Sequence, residues 1–441
     1  MDTPGEYYID LATKQLFFFP PLPLEQWHDR QVFVTSNLTA ARIHADHITL
    51  RGLAIRHARG NGVLALNVSN VRMENCTVSG HGQHGVVIVG THSGVEHSRI
   101  YSVGCSGVRV AGGDAHSLSA GHSFVFRNAI FDMALHKRTY SPGIFFGGIG
   151  NNYSFNNVSN SPHNCISGGG NVAVPWGWTG ATAHNDVVAG SGSEMNIVGN
   201  RLDTCANDCG DCGALCVFSS SMYCTCLICS RNFFALNERS NVGCSYTNGQ
   251  AGMAYVSLGN KLLGNIFVNT GSTNVYLDDA ISGWEIAGNV MSSRYPTLRD
   301  DGHPKTLVLA GGRHVQIVRN AFVDMIDRSN AVAMLGSGGD CQASNHLVQR
   351  LLYPGSPWPV RYPSLLSVTT DHPCIAARNT IADNRFSLAR GYAWANFSFF
   401  SNDPLVPWDD DTAANLRAWT TRVANNTEQN NPFTHTKMIA Y

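Results

Sequence analysis

The chain is built of short alternations of apolar and polar residues that end in glycine. Gly85-Val86-Val87-Ile88-Val89-Gly90 and Gly107-Val108-Arg109-Val110-Ala111-Gly112 are two of them. Each has the period of a strand, and no helical period competes over most of the length. Between the alternations recurs a second pattern: an apolar residue, a variable residue, usually Asn, a variable residue, then one or two apolar residues. Copies are Met73-Glu74-Asn75-Cys76-Thr77-Val78, Phe126-Arg127-Asn128-Ala129-Ile130-Phe131 and Val198-Gly199-Asn200-Arg201-Leu202. Others are centred on Asn232, Asn265, Asn289, Asn320 and Asn384, and Gly52 and His97 take the Asn place in two more.

The copies follow one another at steps of about 22 to 33 residues, with some longer. A repeat of that length holding two or three short strands marks a solenoid. One coil of a right-handed parallel β-helix fits it. Aliphatic side chains stack inward coil upon coil, and Asn at a tight corner tolerates left-handed backbone and can bond to its copy in the next coil. The predicted class is therefore all-β, with the helix over 43–407. Residues 1–42 read as an N-terminal cap whose two strands, Pro4 to Asp10 and Gln15 to Pro20, form a hairpin over an open end of the core. Residues 408–441 lose the repeat and read as an irregular tail, with a short capping helix at 412–421. Insertions fall at 114–122, 172–194, 238–258 and 329–373, which a solenoid carries as loops.

Composition narrows the function. With 441 residues, 43% hydrophobic, the chain can bury a large core. With 14% charged residues and a net charge of −1 it offers no electrostatic case for nucleic acid or an anionic membrane surface. No apolar run is long enough to span a bilayer. A monomer is expected. Met1-Asp2-Thr3-Pro4-Gly5-Glu6 shows no signal peptide, so either the protein is not secreted or its true start lies upstream. Eight of the 13 cysteines lie between Cys205 and Cys244, and Asn37, Asn67, Asn75, Asn152, Asn157, Asn396 and Asn425 begin sequons. Both lean towards an extracellular or secretory location. Cys209-x-x-Cys212 and Cys226-x-x-Cys229 have zinc-like spacings, but a clean set of four ligands is absent. Disulfides or buried thiols are expected there, and no metal or cofactor.

Acids at strand ends are the candidate chemistry. Asp278 and Asp279 follow Asn274-Val275-Tyr276-Leu277. Val275 and Leu277 have inward parity, so Tyr276 and Asp278 should face out.

The series Tyr140-Ser141-Pro142-Gly143-Ile144, Ser161-Pro162-His163-Asn164, Asp211-Cys212-Gly213-Ala214, Tyr276-Leu277-Asp278-Asp279, Gly311-Gly312-Arg313 and Trp358 with Arg361-Tyr362-Pro363 resembles, in order, the parallel β-helix carbohydrate-active proteins akin to glycoside hydrolase family 141. That resemblance implies a polysaccharide or oligosaccharide substrate held in a groove on one face. Where such relatives carry an acid pair before Gly-Ala, this chain keeps Asp211 after Gly210. Glycosidic cleavage needs one carboxylic acid for the leaving oxygen and one carboxylate as nucleophile or base. Asp211 and Asp278 are expected to supply them, with their carboxyl groups within roughly 10 Å, and Asp279 is a further candidate. His163, Tyr140, Tyr276, Arg313 and Trp176 are expected to bind the sugar. A lyase or epimerase is the alternative enzyme, for which His136-Lys137-Arg138 and Tyr140 would supply cation and base. A carbohydrate-binding protein without catalysis is the third reading.

Overall fold

The computed structural model describes residues 2–23, 26, 33–114, 117–168, 192–209, 212–217, 258–277, 281–292, 305–310, 312–325, 330–335, 352, 354–368, 378–388, 395–398, 427–429 and 433–435. Residues 1–36 and 37–441 form two compact units. In the first, Tyr7–Asp10 and Gln15–Phe18 pair antiparallel, as their alternation predicts. Asp10 ties the turn by accepting from the backbone N–H groups of Ala12 at 2.9 Å and Thr13 at 3.3 Å.

The second unit is a right-handed parallel β-helix. Sheet I runs from Thr39–Ile43 to Ala395–Ser398, sheet II from Thr49–Arg51 to Thr427–Gln429, and sheet III from Ala54–Arg56 to Phe433–His435. The chain visits the sheets in the order I, II, III and returns to sheet I one coil on. Sheets II and III each hold 11 strands. Two expectations about the ends are corrected. Thr39–Ile43 already pairs with Asn61–Ser69, so the helix begins before residue 43. Thr427–Gln429 and Phe433–His435 continue sheets II and III, so the repeat reaches into 408–441. Thr427–Gln429 and Phe433–His435, three residues each, are too short to show an alternation in the sequence. The insertion at 238–258 lies almost entirely outside the described residues, and the 412–421 helix wholly so.

Each sheet turns one column of side chains inward. In sheet II the column runs Met73, Val95, Val125, Tyr153, Ile197, Leu262, Ile286 and Ile317 in direct register. In sheet III it runs Val78, Ile100, Ile130, Val158, Leu202, Phe267 and Met291. All of these are buried and belong to one apolar cluster. Stacking of this kind shields every parallel strand on its inner face, and the hydrophobic term grows with each coil added.

The corner between sheets II and III is two residues long in every described coil. Its first residue is left-handed: Gly52 at φ 68°, Asn75 at 53°, His97 at 50°, Arg127 at 53°, Phe155 at 58° and Gly199 at 65°. Side chains other than glycine pay a strain of about 1 kcal/mol or more there. The second residue offsets it. In Asn128, Asn156, Asn200, Asn265, Asn289, Asn320 and Asn384 the side-chain oxygen accepts from the backbone N–H of the ladder residue one coil back, at 2.8–3.0 Å. The amide NH₂ donates to a carbonyl of sheet II at 2.7–3.0 Å. In the early coils Cys76 and Ser98 hold the ladder position, and Ser98 Oγ accepts from Cys76 N at 3.0 Å. The sequence reading is corrected by one residue here: Gly52, Asn75 and His97 stand in the left-handed column, not in the ladder. Asn156, which follows Phe155, belongs to the ladder and was not recognised in the sequence. Asn232 lies outside the described residues.

Among the described residues helix is confined to two single turns, Trp358–Arg361 and Leu365–Val368. None is long and apolar enough to cross a membrane. Arg361 and Tyr362 both reach Glu194, at 2.8 Å and 2.6 Å. Burial, then the Glu194 contact, raises the Tyr362 phenol far above its ordinary range.

Candidate functional site

The outer side of sheet I carries one row of side chains in register: Arg109, Phe145, Ser167, Cys216, Tyr276 and Val308. Parallel pairing sets this row, and parity turns it away from the inward column of Val108, Ile144, Ile166, Leu215, Val275 and Leu307. Tyr276 therefore faces out as its strand pattern predicts, but its neighbours cover it and only 8% is exposed. The Arg109 guanidinium lies 4.4 Å from the centre of the Phe145 ring, a cation–π contact. Arg109 keeps some exposure, yet its charged end is crowded, and burial draws it down to about 10. One coil earlier, His84 accepts at Nδ1 from Ser106 N at 3.1 Å. Burial first, then the charges of Arg109 and Lys137, hold its imidazole well below the ordinary range. Arg109 was missed in the sequence, although a cation at an outward position of an apolar alternation was a visible signal.

The corner that leads from sheet III into sheet I completes this surface. Tyr140 and His163 meet there with ring centres 4.8 Å apart. His163 is buried, and its Nδ1 lies 2.6 Å from the Asn164 side-chain oxygen. Asn164 Nδ2 donates to Gly213 O at 2.9 Å, which fixes the amide. The turn of the next coil is tied to this one by Ala206 N to His163 O at 2.6 Å and Asp208 N to Pro162 O at 2.9 Å. Disulfides join Cys165 to Cys205 and Cys209 to Cys212, in line with the reading of the cysteine cluster, while Cys76 and Cys216 are buried thiols. Arg138 forms an ion pair with Asp208 at the rim.

Asp211, Asp278, Asp279 and Trp176 lie outside the described residues, so the expected carboxylate separation is not fixed by them. The strands that flank the acids are described. Gly213 stands beside Thr273 and Val217 beside Leu277. Cys212, next to Asp211 in the chain, thus precedes one end of this strand pair, and Leu277, next to Asp278, closes the other. Gly213 and Leu277 are about 13 Å apart along the strand direction, at ~3.3 Å per residue.

Arg313 belongs to that far end, on the corner leading from sheet I to sheet II. Expected from the sequence to bind the sugar, it is buried there, only 1% exposed. Its backbone N–H donates to Ser282 Oγ at 2.9 Å, and its carbonyl accepts from Gly283 N at 2.8 Å. Gly312 just before it has no room for a side chain, since an added Cβ would meet Ile281 O at 2.2 Å. The chain packs too tightly there to leave Arg313 at the surface.

A cleft of about 620 Å³ lies elsewhere, on the outer face of sheet II, lined by Arg72, Glu96, His122, Phe124, Phe126 and Asn152 among others. None of the described residues among those predicted for the site borders it, and its acid, Glu96, is held by Arg72 at 2.8 Å. The chemistry-bearing groups converge at sheet I instead.

No protein-family model matches the chain, and no curated protein matches it. Solved structures do. DFA-IIIase from Arthrobacter chlorophenolicus A6 in complex with GF2 aligns over 83% of this chain and 69% of its own, at 16% identity and a TM-score of 0.34. The A-module of the mannuronan C-5 epimerase AlgE4 of Azotobacter vinelandii aligns over 89% and 63%, at 9% identity and a TM-score of 0.25. The structure of XylC with xylose aligns over 83% and 55%, at 11% identity and a TM-score of 0.29. Likenesses this distant carry no functional argument, and the parallel β-helix stands on the strand pairing itself.

Proposed function

We propose that the protein is an enzyme acting on a polysaccharide laid over the outer face of sheet I, and that it hydrolyses a glycosidic bond. The observation that carries this reading is the meeting of Tyr140 and His163 at the edge of the Arg109–Phe145–Tyr276 row. Aromatic rings offer flat apolar faces to a sugar ring, and the imidazole, phenol and guanidinium supply the few oriented polar groups such a site needs. Asp211 adjoins this corner in the chain and is proposed as one of the two carboxylates. Asp278, with Asp279 beside it, is proposed as the other.

A second reading, a lyase or epimerase, is favoured by a specific observation. The described groups at this corner are a tyrosine, a histidine and nearby cations, and that set suits abstraction of the proton beside a uronate carboxylate. The test is a panel of neutral and acidic polysaccharides with wild type, Asp211→Asn and Asp278→Asn. Reducing ends without near-ultraviolet absorbance, lost in both variants by at least about a hundredfold, support hydrolysis. Absorbance from an unsaturated uronate supports the lyase, and binding without turnover of any polysaccharide overturns both.

A further inference from the structure

We propose that His163, Cys209 and Cys212 form a site for a single zinc-class cation when the Cys209–Cys212 bond is reduced. One imidazole nitrogen and the two sulfur atoms all lie within 4.8 Å of one another. Tetrahedral zinc bound to two thiolates and an imidazole, at about 2.3 Å and about 2.0–2.1 Å, puts its ligand atoms roughly 3.5–3.8 Å apart, inside that limit, and reduction frees the two sulfurs to separate to that distance. His163 and Cys212 are buried and Cys209 is half-buried, so the two protein-facing ligands are shielded and the third borders solvent.

The surroundings prepare the imidazole for a metal. Asn164 donates its NH₂ to Gly213 O and so turns its oxygen towards His163 Nδ1. That oxygen accepts a hydrogen bond from Nδ1–H, a tautomer whose lone pair is on Nε2. An outer hydrogen bond that fixes tautomer and ring direction is how metal-bound histidines are oriented. The two turns are also held together in advance, by the backbone bonds from Ala206 and Asp208 and by the Cys165–Cys205 disulfide. Little ordering remains for the cation to impose. Spacing alone gave no zinc here, because the third ligand comes from the preceding coil and joins the Cys-x-x-Cys pair only through folding.

A disulfide sulfur is a poor ligand, so the redox state decides occupancy. A dithiol reductant transfers two electrons and two protons to Cys209–Cys212 and is itself left as a disulfide. Zinc then displaces the two thiol protons. Zinc stoichiometry is measured under anaerobic conditions against a chromophoric chelator, with cobalt as a spectroscopic substitute. Reduced wild type should bind one equivalent more than oxidised wild type and one more than Cys209→Ser/Cys212→Ser. Cobalt should give thiolate charge-transfer absorption that the double variant loses. His163→Ala should weaken binding at least about tenfold, and Asn164→Ala about 10–100-fold. Cys209→Ser alone, at the half-buried position, guards against misfolding, with the β circular dichroism as control. Equal stoichiometry and identical cobalt spectra in wild type and variants would overturn the proposal. The readout is metal uptake, so its failure leaves the polysaccharide reading untouched.

Discussion

Replacing Asn200 by Ala tests whether the asparagine ladder stabilises the helix or merely accompanies it. Asn200 is 1% exposed and makes four side-chain hydrogen bonds. Its Oδ1 accepts from Asn156 N at 2.9 Å and Asn156 Nδ2 at 3.0 Å. Its Nδ2 donates to Tyr153 O at 2.8 Å and Asn265 Oδ1 at 2.9 Å. Alanine removes all four. Asn156 Nδ2 keeps Val125 O, and Asn265 Oδ1 keeps the Asn200 backbone N–H. The Tyr153 carbonyl keeps its place in the parallel ladder with the next strand, so the group that loses its partner outright is the Asn156 N–H. At about 1–3 kcal/mol for a buried group left unmade, the loss is about 1–3 kcal/mol. Urea unfolding followed by circular dichroism measures it. Amide exchange at 153–158 and 262–268 shows whether the opening is local to the adjoining coils. Asn200→Asp adds a sign. A carboxylate there would face two acceptors, so its folded pKa is raised above the ordinary ~3.9. The protonated variant should approach wild-type stability below about pH 4 and lose it as the pH rises. A loss under about 1 kcal/mol for Asn200→Ala, with unchanged exchange in both neighbouring coils, would refute the ladder argument.

Two further outcomes are expected. Cys165→Ser opens a disulfide whose cysteines are 40 residues apart, and the chain-entropy relation gives a loss of about 4 kcal/mol, read as a lower urea midpoint in non-reducing buffer. His84 is held neutral when folded, with its pKa depressed. Its contribution is therefore present above the ordinary imidazole value near ~6.5 and is lost as the pH falls below it, so the urea midpoint should drop between about pH 8 and pH 5.5, and less so in His84→Gln.

Much of the architecture was legible because its signals are local. An outward cation such as Arg109, an inward pair such as Val108 and Val110, and the glycines that close the strand all lie within a few residues. The Asn corner was legible for the same reason where the strands around it are strongly apolar, as at Asn289. It slipped by one residue at Asn75 and His97, because asparagine and histidine also tolerate the left-handed conformation of the adjoining position. The candidate site was less legible. Tyr140 and His163 were chosen separately, and only the stacking of successive coils puts their rings in contact. The burial of Arg313 follows from packing at a corner whose tightness is set by Gly312 and Ile281, which no pattern of spacing reveals. The pairing of Asp211 with Asp278 was expected from the order of the motifs, which does not say at which end of the adjoining strands Gly213–Val217 and Thr273–Leu277 each acid falls.

The two-residue corner between sheets II and III divides the molecule into a part that counts and a part that does not. Each coil whose corner is described passes it in two residues, while the chain between sheets I and II runs from two residues, between Ser69 and Arg72, to the long stretch that separates Val217 from Asn260. A segment grafted after Val217 should leave the hydrogen-bond column in step. A single residue added between Asn200 and Arg201 should shift the following coil against its neighbour and turn its core side chains to the wrong face. The corner thus works as a clock for the fold: new binding loops can be written into one edge of the helix without resetting the other.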